Sequence, residues 1–432
     1  MRKRHTILIG KTVKRAARLR GGGTALPGLV VEKLDKNFVG HMLADLPYGV
    51  VVITGTNGKT TTTKIVSELL AASGLTVFTN KTGSNFVRGI AAAILDVVDS
   101  KGRMPHDIAV LELDEAHAVH FIQRAPVDHV LLLNVMRDQL DRFGEIDYTA
   151  KLLQKVAVKA TGSVVLNRDD PRVSAIAKLV NLHDPTVPVR YFGADSSLHH
   201  VFVNDDKLYQ VETEQPLPPR HLEPADVELA AFNEHQASFR IGNKTYDATM
   251  KLSGVYNFLN AAGALALCKT ILGSKGNDAR LVAALEKVEP AFGRGETLQV
   301  NGKPLELVLV KNPAGFRLSL ASFDPADASV MIAINDQYAD GRDMSWLWDV
   351  DFTSLQEHGV AMVSGIRAYD MALRLRYDNV AAGQIDTDLR ASLATFLSAD
   401  TTASTRRIFC TYTAMLKLRR LLRAYTKLEI MG

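Results

Sequence analysis

Thirteen consecutive residues constrain this chain's fold more than any others: Val51-Val52-Ile53-Thr54-Gly55-Thr56-Asn57-Gly58-Lys59-Thr60-Thr61-Thr62-Thr63. A β-branched apolar run reads as a buried strand, the glycines as a tight turn, and Lys64-Ile65-Val66-Ser67-Glu68-Leu69-Leu70 as the helix that follows. Strand, glycine turn, lysine and helix in this order make a phosphate-binding loop. The glycines let backbone N–H groups turn toward an anion, and the helix N-terminus adds its dipole. Gly55, Thr56, Asn57, Gly58, Lys59, Thr60 and Thr61 are therefore the candidate nucleotide-binding residues, with Lys59 reaching the outer phosphates and the Thr60 hydroxyl available to magnesium.

The segments that follow alternate between strand and helix character, which argues for a parallel α/β sheet. Gly74–Asn80, Ile108–Glu115, Val130–Val135, Val164–Asn167 and Val189–Gly193 read as strands, and Ile90–Val98 as a helix. The segment at Ile108–Glu115 runs into Glu112, Asp114 and Glu115, and ligands of open α/β sheets gather beyond the carboxyl ends of strands. Magnesium prefers hard oxygens shared among one or two carboxylates, water and phosphate, so Glu112 with Thr60 is the leading metal pair. Asp114 and Glu115 remain rivals. From Ala194 to Thr249 short alternating pieces flank a proline-rich loop and suggest a small antiparallel excursion.

Composition excludes several classes. At 432 residues the chain holds two or three domains, and 47% hydrophobic with 23% charged residues suits a globular enzyme. A net charge of +4 is too small to imply a nucleic-acid partner. Cys268 and Cys410 are far apart, which supports neither a disulfide framework nor a cysteine zinc site and fits a reducing cytoplasm. No uninterrupted apolar stretch approaches membrane-spanning length, and Lys11 and Lys14 break the early apolar run that a signal peptide would need. Met1–Arg20 is strongly basic, with Ile9, Val13 and Ala17 on one helical stripe. It reads either as a helix packed on its own protein or as one resting on an anionic membrane surface.

The loop wording Thr-Gly-Thr-Asn-Gly-Lys-Thr at 54–60 resembles the Mur ligase family, ATP-dependent enzymes that activate a carboxylate as an acyl phosphate. Other stretches share the likeness: Leu166-Asn167-Arg168-Asp169-Asp170-Pro171, Gly254-Val255-Tyr256-Asn257-Phe258-Leu259-Asn260-Ala261, and Gly293-Arg294-Gly295-Glu296. The resemblance implies that Asn257 and Asn260, three apart on one helical face, look toward adenine, and that Arg294 contacts the nucleotide. Gln139 stands where the family commonly has a histidine that helps hold a second magnesium, a departure that tells against the usual second-metal arrangement. Lys151 lies near the family's carbamylated lysine, but its spacing is imperfect and it reads better as an exposed helical lysine.

In the last third, Leu305–Val310, Ala328–Ile334 and Met362–Gly365 read as strands of a second nucleotide-like α/β sheet, followed by a helix at Ala368–Tyr377. Lys311–Phe316, Asn335-Asp336, Asp340–Phe352, Ser364–Ala372 and Tyr412–Leu416 resemble one branch of the family, MurT, the ATP-dependent subunit of bacterial lipid II isoglutaminyl synthase. The resemblance spans almost the whole chain and weakens at Ala194–Thr249, where that branch commonly carries a four-cysteine zinc ribbon. This stretch has no cysteine, so zinc is not expected. The expected domains are a basic helix and connector (1–45), a Mur ligase central ATP-binding domain (46–296) and a C-terminal Rossmann-like α/β domain (297–432).

What the resemblance implies is amidation of the α-carboxyl of D-glutamate in the lipid II stem peptide. ATP and magnesium are the cofactors, and ammonia comes from a GatD-type glutaminase partner. Lys59, Glu112 and Asp349 are the expected catalytic residues; Asp349 would accept a proton from the incoming ammonium, with Asp343 and Asp351 competing for that role. The closing helix, with Lys417, Arg419, Arg420 and Arg423, would dock the glutaminase or a lipid headgroup. Two other readings remain: a stand-alone Mur or folylpolyglutamate-type amino-acid ligase, and a phosphate-loop ATPase acting as a scaffold for cell-wall enzymes.

Overall fold

The computed structural model describes residues 2–19, 25–80, 86–99, 101–137, 146–199, 201–202, 222–233, 235–252, 254–290, 294–321 and 323–426. The chain divides into two compact units. One comprises Met1–Met136, Ile146–Lys251 and Asn257–Val288; the other comprises Arg137–Glu145, Leu252–Tyr256 and Glu289–Gly432.

The first unit is built on strands β1 (Val50–Thr54), β2 (Val77–Thr79), β3 (Ile108–Glu112), β4 (His129–Leu132), β5 (Ser163–Asn167), β6 (Val189–Ala194), β7 (Val227–Phe232), β8 (Gln236–Ile241) and β9 (Lys244–Thr249). They form one sheet in the order β2-β3-β1-β4-β5-β6-β7-β8-β9. All five residues of β1, β3 and β5 are buried, which explains why these strands read as continuous apolar runs: helices cover both faces of a parallel sheet. β1 lies between β3 and β4, with Ile53 opposite Glu112 and Thr54 opposite Leu132, so the phosphate loop leaves the sheet from an interior strand. Val50, Val52, Leu111, Leu132 and Leu166 share one core with Ile90, Ile94, Phe121 and Leu153 from the covering helices.

Some sequence expectations change. The run at Ile108–Glu115 ends as a strand at Glu112, and Asp114 occupies the cap position of a helix that begins at Glu115. The antiparallel excursion is present as β7–β9, and it extends the main sheet because β7 pairs in parallel with β6, Phe192 opposite Val227. Residues 203–221, which include most of the proline-rich loop, lie outside the described residues. The helical stretch Val255–Lys275 is apolar and long enough to cross a membrane by length and composition, against the expectation that no stretch is; 72% of its most apolar 18 residues are buried inside the protein, as in a core helix.

The basic segment forms a helix, Arg2–Leu19, packed on its own unit. Its buried face runs through Thr6, Ile7 and Ala17, whereas Ile9, expected on the buried stripe, is exposed. Lys11 donates to the Val98 carbonyl at 2.6 Å. Lys14 donates to the Ala92 carbonyl at 2.6 Å and pairs with Asp96 at 2.6 Å. Two of the segment's cations are thus consumed internally.

The second unit carries β10 (Arg294–Val300), β11 (Lys303–Leu309), β12 (Ala328–Ala333), β13 (Val360–Ser364), β14 (Ala382–Asp386) and β15 (Thr405–Cys410), ordered β10-β11-β15-β12-β13-β14. Every pairing is parallel except the β10–β11 hairpin. That hairpin turns at Asn301 and Gly302, whose φ values of 53° and 75° suit the primed turns that match strand twist. Separate apolar clusters cover the two faces: Phe316, Trp346, Phe352 and Phe409 in one, Met331, Phe396, Ile408 and Leu418 in the other.

Candidate functional site

The loop after β1 is held by groups far away in sequence. Gly55 and Gly58 adopt φ of 131° and 89°, a region open to glycine at little steric expense. Thr56 N donates to the Asn134 carbonyl at 3.0 Å, Asn57 N donates to Asn134 Oδ1 at 2.8 Å, and Asn134 Nδ2 donates to the Asn57 carbonyl at 3.0 Å. The Thr56 hydroxyl donates to Met136 O at 3.2 Å and accepts from Met136 N at 3.0 Å. Asn134 and Met136 follow β4, the neighbour of β1, so the sheet itself sets the loop's shape. Asn134 is a site residue that the motif reading did not single out.

The helix Lys59–Ala72 begins at the loop with no acidic residue in its first turn. Lys59 Nζ donates to Gly55 O at 2.5 Å and Thr56 O at 3.3 Å, and lies 3.5 Å from Glu115 Oε2. Burial pushes the Glu115 carboxyl up to about 7, with Lys59 opposing that rise. Glu115 is therefore the lysine's partner. Glu112 does something different: its Oε1 accepts from the Thr60 hydroxyl at 2.8 Å, and the side chain is 6% exposed. Asn80 fixes Glu112 from behind, accepting from its N–H at 2.9 Å and donating to its carbonyl at 3.0 Å.

Thr60 and Glu112 are thus a hydroxyl and a carboxylate already in contact, a hard-oxygen pair that fits magnesium. Among the described residues no group of three or more His, Cys, Asp or Glu could enclose a metal by itself. An ion here would complete its shell with phosphate and water oxygens, as magnesium commonly does.

Asn257 and Asn260 lie on the helix Val255–Leu272. Asn260 is 3% exposed, and its amide faces Gly58 so closely that a Cβ there would stand 2.4 Å from Asn260 Nδ2. Asn257 is half-buried, one turn earlier. The side chain of Arg294 and all of Gln139 lie outside the described residues, and Lys151 is exposed on the helix Ile146–Ala157.

In the second unit, Asp349 ends a short 3-10 helix, Ser345–Asp349, between buried Trp346 and Phe352. Its Oδ2 accepts from Arg137 Nη1 at 3.0 Å, and Arg317 Nη2 donates to the Asp349 carbonyl. Its two rivals cap their own turns. Asp343 accepts from Ser345 N at 2.9 Å, and Asp351 accepts from Thr353 N at 2.9 Å and Thr353 Oγ1 at 2.7 Å. A carboxylate the sequence reading passed over, Asp340, is buried beyond the carboxyl ends of β12 and β15, accepting from Thr413 N at 2.7 Å and Thr413 Oγ1 at 2.5 Å. On the closing helix, Tyr412–Leu422, Lys417 and Arg420 are exposed but Arg419 is buried, which removes it from any docking face. Cys268 and Cys410 are both buried, and burial pushes each thiol far up from its ordinary value.

Comparison with known proteins agrees with this architecture. The family model of the Mur ligase middle domain matches residues 53–268, and that of the MurT ligase C-terminal domain matches residues 309–415. The chain is 31% identical over 437 residues to the lipid II isoglutaminyl synthase (glutamine-hydrolyzing) subunit MurT of Streptococcus pneumoniae, covering 93% of each chain. It is 30% identical to the same subunit of Staphylococcus aureus, covering 88% of this chain and 89% of that one. Among solved structures, MurF of Acinetobacter baumannii aligns with a TM-score of 0.67 at 16% identity, covering 90% of this chain and 80% of that one. MurF of Thermotoga maritima in complex with ADP aligns with a TM-score of 0.65 at 18% identity, covering 92% and 83%. These structures share the fold, and the full-length similarity to the two subunits goes further: the chain belongs to the MurT family of Mur ligases.

Proposed function

We propose that this chain is the ATP-dependent synthetase subunit that amidates the α-carboxyl of D-glutamate in the lipid II stem peptide, giving D-isoglutamine with ammonia from a GatD-type glutaminase. The observation that carries the reading is the contact of Thr60 with Glu112 beside Lys59 at a helix N-terminus, an arrangement suited to nucleotide phosphates. Family membership supplies the acceptor, since the relatives are named as subunits of a lipid II isoglutaminyl synthase. The buried thiols of Cys268 and Cys410 support a separate glutaminase, because neither is placed to act as a nucleophile.

A carboxylate resists attack by ammonia until one oxygen becomes a leaving group. A carboxylate oxygen of the glutamate attacks the γ-phosphorus of ATP, the bond to ADP breaks, and an acyl phosphate forms. Asp349 takes a proton from the incoming ammonium; the ammonia so formed attacks the carbonyl carbon, the C–O bond to phosphate breaks, and the proton lost from nitrogen leaves with the phosphate. Lys59 leaves its loop carbonyls and Glu115 to lie along the outer phosphates, and Arg294 assists in dispersing the charge that builds there. Thr60 and Glu112 would hold magnesium, which would supply further charge neutralisation. The precursor is lipid-linked, so the protein works as a peripheral partner of the cytoplasmic membrane face.

The test is mass spectrometry of lipid II incubated with the purified chain, ATP, magnesium and ammonium chloride, then with glutamine plus a GatD-type glutaminase. Conversion of one carboxyl to an amide with ammonium, and with glutamine only when the glutaminase is present, is expected. Consumption of a free amino acid instead would replace this reading with an amino-acid ligase. A Lys59→Ala protein that retained full function would favour a scaffold.

A further inference from the structure

The helix Arg2–Leu19 has two faces with different partners. One packs on the protein through Ile7 and Ala17, with Lys11 and Lys14 satisfied by Val98, Ala92 and Asp96. The other is open: His5, Leu8, Ile9, Thr12, Arg15 and Ala16 are all exposed, at the i, i+3, i+4, i+7 spacing of one helical side. Leu8 is 66% exposed and Ile9 42% exposed, an apolar pair that the protein leaves uncovered.

Charge narrows what covers that face. Residues 1–31 contain eight Lys and Arg and no Asp or Glu. The first acid, Glu32, is engaged by Arg88 and Arg124, and Asp96 is taken by Lys14. Arg15, exposed on this face, therefore has no acidic complement on its own helix. An exposed apolar pair on the same face as Arg15, in a segment with eight Lys and Arg and no acid, is matched by one kind of surface that offers acyl chains and anionic headgroups together.

We propose that the outward face of this helix docks on an anionic lipid bilayer, with Leu8 and Ile9 entering the headgroup–acyl boundary and Arg15 lying among the headgroups. The docking deepens the membrane contact in the proposed function. It is read by binding alone, so failure of the amidation assay leaves it standing, and its own failure leaves the reaction intact.

The experiment is co-sedimentation of the full chain with phosphatidylcholine vesicles and with vesicles containing phosphatidylglycerol. Binding to the anionic vesicles that weakens with added salt, and is about tenfold tighter than to phosphatidylcholine alone, is expected. A double Leu8→Asn, Ile9→Asn variant should bind the anionic vesicles about tenfold more weakly while melting at the parent temperature. A control at Leu182→Asn, 73% exposed elsewhere, should bind like the parent. Equal binding to both vesicle types, no binding to either, or unchanged binding by the double variant would each overturn the proposal, the last by leaving charge alone to explain adsorption.

Discussion

Gly58→Ala is the perturbation that tests the loop most sharply, because two separable penalties meet at one methyl group. The first is backbone strain: φ at Gly58 is 89°, and holding an L-residue in left-handed backbone is worth about 1–2 kcal/mol. The second is collision. The new Cβ would lie 2.4 Å from Asn260 Nδ2, 2.8 Å from Asn260 Oδ1 and 2.9 Å from Asn260 Cγ. Asn260 is buried on a core helix and cannot swing into solvent, so overpacking adds about 1–3 kcal/mol. The variant should therefore lose about 2–5 kcal/mol of stability, read by urea unfolding, or relieve the strain by moving the loop. A loop displaced in that way should lose at least about tenfold in ATP affinity for each 1.4 kcal/mol of distortion, read by isothermal titration. The double variant with Asn260→Ala separates the penalties: compared with Asn260→Ala alone, the glycine substitution should then carry only the backbone part. If the glycine substitution is equally damaging with and without the Asn260 amide, or harmless in both backgrounds, the loop does not rest on this helix as described.

Three further outcomes follow from the geometry. Asn134→Ala removes both hydrogen bonds to Asn57 and should weaken stability by about 1–3 kcal/mol and nucleotide binding with it; unchanged binding would mean that β4 does not shape the loop. Asp349→Asn should lower amidation turnover by about a hundredfold or more with ATP affinity preserved, and full turnover with ammonium would remove Asp349 from the proton step. Burial pushes the Asp170 carboxyl up to about 6, outweighing the backbone N–H groups of Val135, Val173 and Arg172 that it accepts from. Between the unfolded value near 4 and about 6 the folded protein holds a proton that the unfolded chain has lost, so on this group stability falls as pH rises through that window, by about 3 kcal/mol in all. Asp170→Asn, which keeps a capping side chain, should flatten that part of the profile measured by urea unfolding at pH 4 and 7. An unaltered slope would show that Asp170 titrates in the ordinary range.

Local chemistry made much of the first unit legible. The apolar run at 50–54 needs burial on both faces, the turn needs glycine at 55 and 58, and the helix from Lys59 needs an open N-terminus; each requirement is met within fifteen residues of chain. The β10–β11 hairpin is equally local, with Asn301-Gly302 as its turn signal, although only the β11 half was expected as a strand. β14 (Ala382–Asp386) and the helix Leu389–Ser398 offered less: β14 is a largely exposed edge strand without the apolar run that marked its neighbours.

The sequence by itself therefore determined the phosphate loop, the alternating parallel architecture and the family, because these rest on residue types at short spacing. Which acid meets which group was settled only by tertiary structure. The β1–β3 register sets Ile53 opposite Glu112 and so brings Glu112 to Thr60, while the helix that begins at Glu115 turns that carboxylate to Lys59. Asn134 reaches Asn57 across 77 residues, and Asn260 reaches Gly58 from a helix some two hundred residues on. The same holds for the basic helix, whose sequence shows seven cations but not that two of them, Lys11 and Lys14, are turned inward. Hydrogen bonds and packing contacts of such long range depend on where strands and helices come to rest, and periodicity along the chain carries no record of that.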